Sequence, residues 1–120
     1  MEELNEFFID KIEFESDILR IIITSTGGRP GIIKFGEPKT LRIFEESDDP
    51  GFFLYTKIDN IIYKCRESSI FISTNTDFLN DFITKSPFYR KESRSFSCLI
   101  ATAQTCVEVV TSEIPEFKFH

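Results

Sequence analysis

Residues 7–25, FFIDKIEFESDILRIIITS, contain two stretches that each favour an extended strand. With residues 7–15 extended, one face is mostly apolar and the other mostly polar, as in a half-buried strand. The apolar face then carries Phe8, Asp10, Ile12, Phe14 and Ser16. Residues 18–25 are rich in β-branched side chains, and Ser16-Asp17 provides a tight connection. The two stretches are therefore predicted to form an antiparallel hairpin.

Turn signals divide the rest of the chain into further short segments that favour strands. Clusters of Gly and Pro mark the breaks, because Gly permits positive φ and Pro presets φ for a turn. The predicted strands are residues 31–35, 39–46, 52–58, 61–65, 96–102 and 105–111, with a short tail strand at 117–119. Asp59-Asn60 suits a two-residue turn between 52–58 and 61–65. Residues 69–73 either extend this sheet or lead into a helix.

One helix is predicted at residues 77–84. Thr76 is a suitable N-cap, and Asp77 places an acid in the first turn. The apolar stripe of this helix consists of Phe78, Leu79, Phe82 and Ile83. The whole pattern predicts a single α+β domain spanning residues 1–120, with about seven to nine short, mostly antiparallel strands and one short helix.

The chain is acidic, and its acidic excess lies in one part of the sequence. It carries 20 Asp and Glu against 14 Lys and Arg, which gives a net charge of −6. The excess falls entirely within residues 1–50, since the remainder is balanced. A nucleic-acid-binding protein usually has the opposite sign. An acidic surface favours either solubility alone or contact with a basic protein partner.

Cysteine usage and the N-terminal residues indicate the cytoplasm. Cys65, Cys98 and Cys106 are odd in number and irregularly spaced, which is typical of reduced thiols. The acidic start of the chain resembles neither a signal peptide nor a transit peptide. No apolar run approaches the length of a membrane span, so we expect no membrane partner.

The histidine and cysteines of the sequence are not placed as nucleophilic catalysis or a zinc site would require. His120, the last residue, is the only histidine, and it is either native or the start of a purification tag. A chain end is rarely held firmly enough to act as a catalytic base. The three cysteines lack the paired spacing of a zinc site. We therefore expect a protein that is not an enzyme and that uses no metal or cofactor.

The strongest feature of the surface is an acidic run next to a Pro-Gly turn. It consists of Glu45, Glu46, Asp48 and Asp49. Such a run is most often a solvated turn, less often a partner contact, and rarely a metal or catalytic site. As the predicted partner contact we take these four acids, with Arg42 and Asp59 as neighbours.

Two further stretches carry a resemblance to a known class of proteins. Residues 32–49 read as a strand, an Arg and an acidic loop, and residues 98–115 read as a closing strand pair. Together with the hairpin at 7–25, they resemble small bacterial immunity proteins of polymorphic and contact-dependent growth-inhibition toxin systems. The resemblance implies tight binding to a cognate toxin, often a nuclease with a basic cleft, and no catalysis. The oligomeric state is left open.

Two other functions are compatible with the sequence. A β-rich module could bind a small molecule in a pocket lined by some of the 14 Phe residues, although a dense core also uses Phe. The acidic run could instead serve a carboxylate-based or metal-assisted hydrolase. Edge strands, with residues 31–35 as the example, could also accept a partner strand.

Overall fold

The computed structural model describes residues 6–45, 52–85 and 94–119. The described residues form nine strands and two helices. The strands are β1 (Phe7–Glu15), β2 (Ile18–Ser25), β3 (Pro30–Gly36), β4 (Thr40–Glu45), β5 (Asn60–Lys64), β6 (Ser69–Ser73), β7 (Phe96–Ala101), β8 (Thr105–Thr111) and β9 (Glu116–Phe119). The helices are α1 (Phe52–Tyr55) and α2 (Asp77–Lys85).

The strands form two antiparallel sheets. One sheet has four strands in the order β1-β2-β3-β9, and the other has five in the order β4-β8-β7-β6-β5. Every pair of neighbouring strands is antiparallel. The predicted α+β class with a mostly antiparallel sheet is therefore confirmed. Because β3 lies between β2 and β9, residues 31–35 are not the edge strand that we expected.

The five-stranded sheet is covered on both of its faces. One face packs against the four-stranded sheet, in a core whose buried members include Leu19, Ile33, Ile100 and Val107. On the opposite face, here called the helical face, Phe52 of α1 packs with the buried side chains of Phe71 and Leu99. Burial on two faces explains why β7 and β8 are apolar almost throughout instead of alternating.

The β1–β2 hairpin forms as predicted, but a β-bulge changes which side chains of β1 face the core. Ile9 lies opposite Ile23, and after the bulge Ile12 lies opposite Ile21. Because the bulge adds one residue, the core-facing positions of β1 are odd-numbered before the bulge and even-numbered after it. As a result, Phe7 is buried and Phe8 is 48% exposed, which reverses the expected orientation at the start of the strand.

The prediction of a strand at residues 52–58 is wrong. Residues 52–55 form the single-turn helix α1, and β5 pairs with β6, so Asp59-Asn60 is not a hairpin turn. The Phe52 ring lies 5.1 Å from the Phe44 ring and 4.9 Å from the Phe53 ring. These aromatic contacts bury apolar area over the helical face, and this tertiary gain exceeds the modest strand preference of the segment.

Helix α2 confirms the helix predicted at residues 77–84. The Thr76 hydroxyl accepts a hydrogen bond from the Leu79 backbone N–H at 3.0 Å, so Thr76 is the N-cap. Leu79 is 1% exposed and fixes the helix to the sheet, whereas Ile83 is 39% exposed. The helix therefore buries its apolar stripe mainly at its N-terminal end.

Replacing Thr76 tests how strongly this cap supports the fold. We expect Thr76→Ala to lower the free energy of unfolding by about 2 kcal/mol, because a helix cap and a buried hydrogen bond are lost together. Thr76→Ser keeps the hydroxyl and should recover most of this loss. Urea denaturation of the three proteins measures the difference, and equal losses for Ala and Ser would contradict the capping role.

Candidate functional site

Of the acidic run in the predicted partner contact, the structure describes Glu45 alone. Glu45 is exposed at the end of β4, which is an edge strand. Ile43 lies two residues earlier on the same face of the strand and is 56% exposed. Glu46, Asp48 and Asp49 lie outside the described residues. The described part of this surface thus combines an exposed apolar side chain with an acid at a sheet edge.

Arg42 lies close to this surface but belongs to the interior. Its Nε and Nη2 atoms both lie 2.9 Å from the Glu108 Oε1 atom. Its guanidinium is 4.3 Å from the centre of the Phe44 ring and also lies over the rings of Phe52 and Phe78. Arg42 is therefore held by a carboxylate and three rings, so the expectation that it contacts a partner receives no support from its geometry.

Glu108 is the residue that sequence reasoning missed. It is fully buried, and its Oε2 atom accepts hydrogen bonds from the hydroxyls of Thr76 at 2.5 Å and Ser97 at 2.6 Å. Both carboxylate oxygens are thus occupied, one by Arg42 and the other by the two hydroxyls. The available signal was a single acid in an apolar strand, TCVEVVT, where an unpaired charge would be costly.

Asp59 also has a structural role. Its carboxylate accepts hydrogen bonds from the Thr74 backbone N–H at 2.7 Å and from the Thr74 hydroxyl at 2.9 Å, and Lys57 Nζ lies 3.3 Å away. The two Thr74 hydrogen bonds, helped by Lys57, hold the pKa of Asp59 below its ordinary value. Asp59 therefore ties the start of β5 to the loop that precedes α2.

A groove of about 470 Å³ lies beside the edge strand β5. Its apolar lining is formed by Phe53, Ile58, Ile61, Phe71, Ala101 and Ala103. Lys64, Arg66 and Glu67 supply the charged part of the lining. A volume of this size is within the range of small-molecule sites in proteins. Among the Phe residues of the described ranges, Phe53 and Phe71 line the groove.

The acidic side chains and cysteines of the described residues bear on metal and thiol chemistry. No group of three or more His, Cys, Asp or Glu side chains in the described ranges is placed to hold a metal ion. The three cysteines are free thiols, and burial raises the pKa of Cys98 to about 12. Cys98 is consequently a packed core residue with little thiolate character.

None of the helices in the described ranges is long and apolar enough to cross a membrane. Searches against protein-family models, curated proteins and solved structures found no match for this chain. The end of β4 and the groove beside β5 are the two candidate binding surfaces of the described residues.

Because Arg42 pairs with the buried Glu108 carboxylate, we expect replacement of Arg42 to destabilise the fold strongly. Arg42→Ala leaves a buried carboxylate without its countercharge and removes the cation from three aromatic rings. We expect the free energy of unfolding to fall by about 3 kcal/mol. The matched control is Lys34→Ala, which breaks the exposed ion pair with Glu116, 3.9 Å long, and should change stability by less than about 0.5 kcal/mol. Similar effects of the two substitutions in chemical denaturation would contradict a central role for Arg42.

The lowered pKa of Asp59 makes the stability of the fold depend on pH. Because its pKa is lowered in the folded state, its charge stabilises the fold above the ordinary Asp value near 4. This contribution is lost as the pH falls through the lowered folded-state pKa. We therefore expect Asp59→Asn to destabilise the protein at pH 7 and to have a much smaller effect near pH 2. An equal effect at both pH values, measured by urea denaturation, would show that the charge of Asp59 is not involved.

Proposed function

We propose that this protein is a cytoplasmic immunity protein that neutralises a cognate bacterial toxin by stoichiometric binding. The observation that carries the proposal is the end of β4, where exposed Ile43 and exposed Glu45 share one face of an edge strand. Protein interfaces commonly combine an apolar centre with charged residues at the rim. In this proposal Ile43 is the apolar anchor and Glu45 begins the acidic rim.

The charge distribution favours a basic partner. The net charge of the chain is −6, and the run Glu45, Glu46, Asp48 and Asp49 begins at the last residue of β4 and continues in the sequence after it. Acids on one surface attract a basic partner and raise the association rate. In a nuclease toxin, carboxylates of this run would occupy the positions that substrate phosphates otherwise fill. The resemblance to immunity proteins supports the same class of partner.

The structure of β4 supports a change in the predicted contact set. Arg42 and Asp59 are left out of the proposed contact, because both are engaged in intramolecular hydrogen bonds that stabilise the fold. Arg42 fixes the middle of β4 to Glu108, and the residues on either side of it share the strand. The proposed contact therefore consists of Ile43 and Glu45 on β4, together with the acids that follow in the sequence, Glu46, Asp48 and Asp49.

Charge reversal tests the proposed contact. A tagged pull-down from native cells identifies a retained basic protein, which is then expressed with and without this chain in a growth assay. We expect the wild-type chain to restore growth. Reversing Glu45, Glu46, Asp48 and Asp49 to Lys should slow association at low salt by about tenfold or more and weaken protection. Stopped-flow mixing of the purified proteins measures the association rate.

The matched control reverses four acids elsewhere: Glu15, Asp81, Glu113 and Glu116. It changes the net charge equally, so it separates a local contact from a general effect of charge. We expect it to retain protection and most of the association rate. If the retained protein is harmless to cells, the toxin-neutralising function is wrong. If both reversals act alike, the assignment to the end of β4 is wrong.

A further inference from the structure

The apolar lining of the groove beside β5 comes from several elements: α1, β5, β6 and β7. Phe71 of β6 and Ala101 of β7 lie on the helical face of the sheet, and the Phe53 ring of α1 stands 5.9 Å from the Phe71 ring. Ile58 and Ile61 line the groove from the β5 side and are 45% and 50% exposed. Large apolar side chains therefore face a concave surface that is open to solvent.

A β-bulge in β5 brings a cation to this apolar surface. Ile61 pairs with Phe71, Tyr63 pairs with Ile70, and Lys64 pairs with Ser69, so Ile62 is the extra residue. The bulge turns Tyr63 into the core, where it is 8% exposed, and leaves Ile61 and Lys64 on the helical face. Without the bulge, side chains three positions apart would point to opposite faces.

The charged part of the groove carries two cations, Lys64 and Arg66. Two acids lie near them: Glu67 also lines the groove, and Glu6 is hydrogen-bonded to the Glu67 N–H and the Ser68 hydroxyl. Neither Lys64 nor Arg66 forms an ion pair with an acid in the described part of the chain. Two basic side chains without an ion-pair partner in the described ranges, at the end of an apolar groove, are complementary to an anionic group.

The loop that carries Arg66 is held in place by internal hydrogen bonds. Glu6 accepts hydrogen bonds from the Glu67 backbone N–H at 2.8 Å and from the Ser68 hydroxyl at 2.6 Å. The Cys65 backbone N–H donates to the Ser68 carbonyl oxygen at 2.7 Å. The backbone of this loop is therefore held in place before any ligand binds, which lowers the entropy cost of binding.

We propose that this groove binds a small amphipathic anion, with its apolar chain on Ile58, Ile61 and Phe71 and its carboxylate or equivalent group at Lys64 and Arg66. This inference goes beyond the toxin-binding function and does not depend on it. Neither Ile43 nor Glu45 lines the groove, so the two activities use different side chains.

Two probes with the same chain and opposite charge test the proposal on the wild-type protein. Isothermal titration calorimetry is carried out with decanoate and with decyltrimethylammonium. We expect decanoate to bind one to one and at least tenfold more tightly than the cation. In parallel, ¹⁵N–¹H NMR spectra should show shifts with decanoate at Ile58, Ile61 and Ala103. The absence of saturable decanoate binding, equal binding of both probes, or shifts confined to other surfaces would each overturn the proposal.

Charge reversal locates the anion within the groove. The variant Lys64→Glu/Arg66→Glu should weaken decanoate binding at least tenfold and improve binding of decyltrimethylammonium. The matched control is Lys11→Glu/Lys85→Glu, at side chains 62% and 74% exposed and outside the groove, and it should leave both affinities within about twofold. Equal losses in the two variants would overturn the assignment to Lys64 and Arg66. The NMR shifts of the wild-type protein keep the test valid if a variant fails to fold.

Discussion

The ion pair between the buried Glu108 and the partly buried Arg42 is the interaction around which the five-stranded sheet and its helices are arranged. An isolated carboxylate in the interior would be strongly unfavourable, so its oxygens must be occupied by a cation or by hydrogen-bond donors. The required donors come from three other elements: Arg42 of β4, Ser97 of β7 and the N-cap Thr76 of α2. One side chain of β8 thereby fixes an edge strand, a central strand and a helix in a single arrangement.

The need of buried Glu108 for a cation also decides which exposed side chains a partner can contact. Since Arg42 is engaged by Glu108 and by the rings of Phe44 and Phe52, it positions β4 and α1 and offers little to a partner. The exposed apolar side chains that remain on the five-stranded sheet lie at its two edges: Ile43 on β4, and Ile58 and Ile61 in or just before β5. Edge strands also retain unpaired backbone groups, so recognition at these margins disturbs no part of the core.

Much of the fold could be predicted because its local signals agree with its tertiary structure. The β1–β2 hairpin and the Thr76 cap have short-range causes, and both formed as expected. The face of β1, the pairing of β5 and the burial of Glu108 depend on bulges and on contacts distant in sequence, which a pattern of period two cannot encode. For residues 52–58, the β-branched and aromatic composition indicated a strand, whereas packing of Phe52 on Phe44 decided for a helical turn. The predicted contact set failed to separate surface charges from structural ones for the same reason. Arg42 and Asp59 are charged, as surface residues usually are, but their hydrogen bonds stabilise the fold.

The two proposed surfaces use different side chains, and their described charges are separated by the width of the sheet. Glu45 ends β4 at one edge, whereas Lys64 and Arg66 lie at or just beyond the end of β5 at the other. Four inter-strand spacings separate these edges, which amounts to about 19 Å. Exposed charges are screened over about 8 Å at physiological salt, so the charge of Glu45 changes the potential at Lys64 and Arg66 only slightly. The groove itself extends towards β4, because Phe53 of α1 lines it and the neighbouring Phe52 ring contacts the Phe44 ring of β4. The two proposed surfaces are therefore separate in charge but are connected through the aromatic packing of α1.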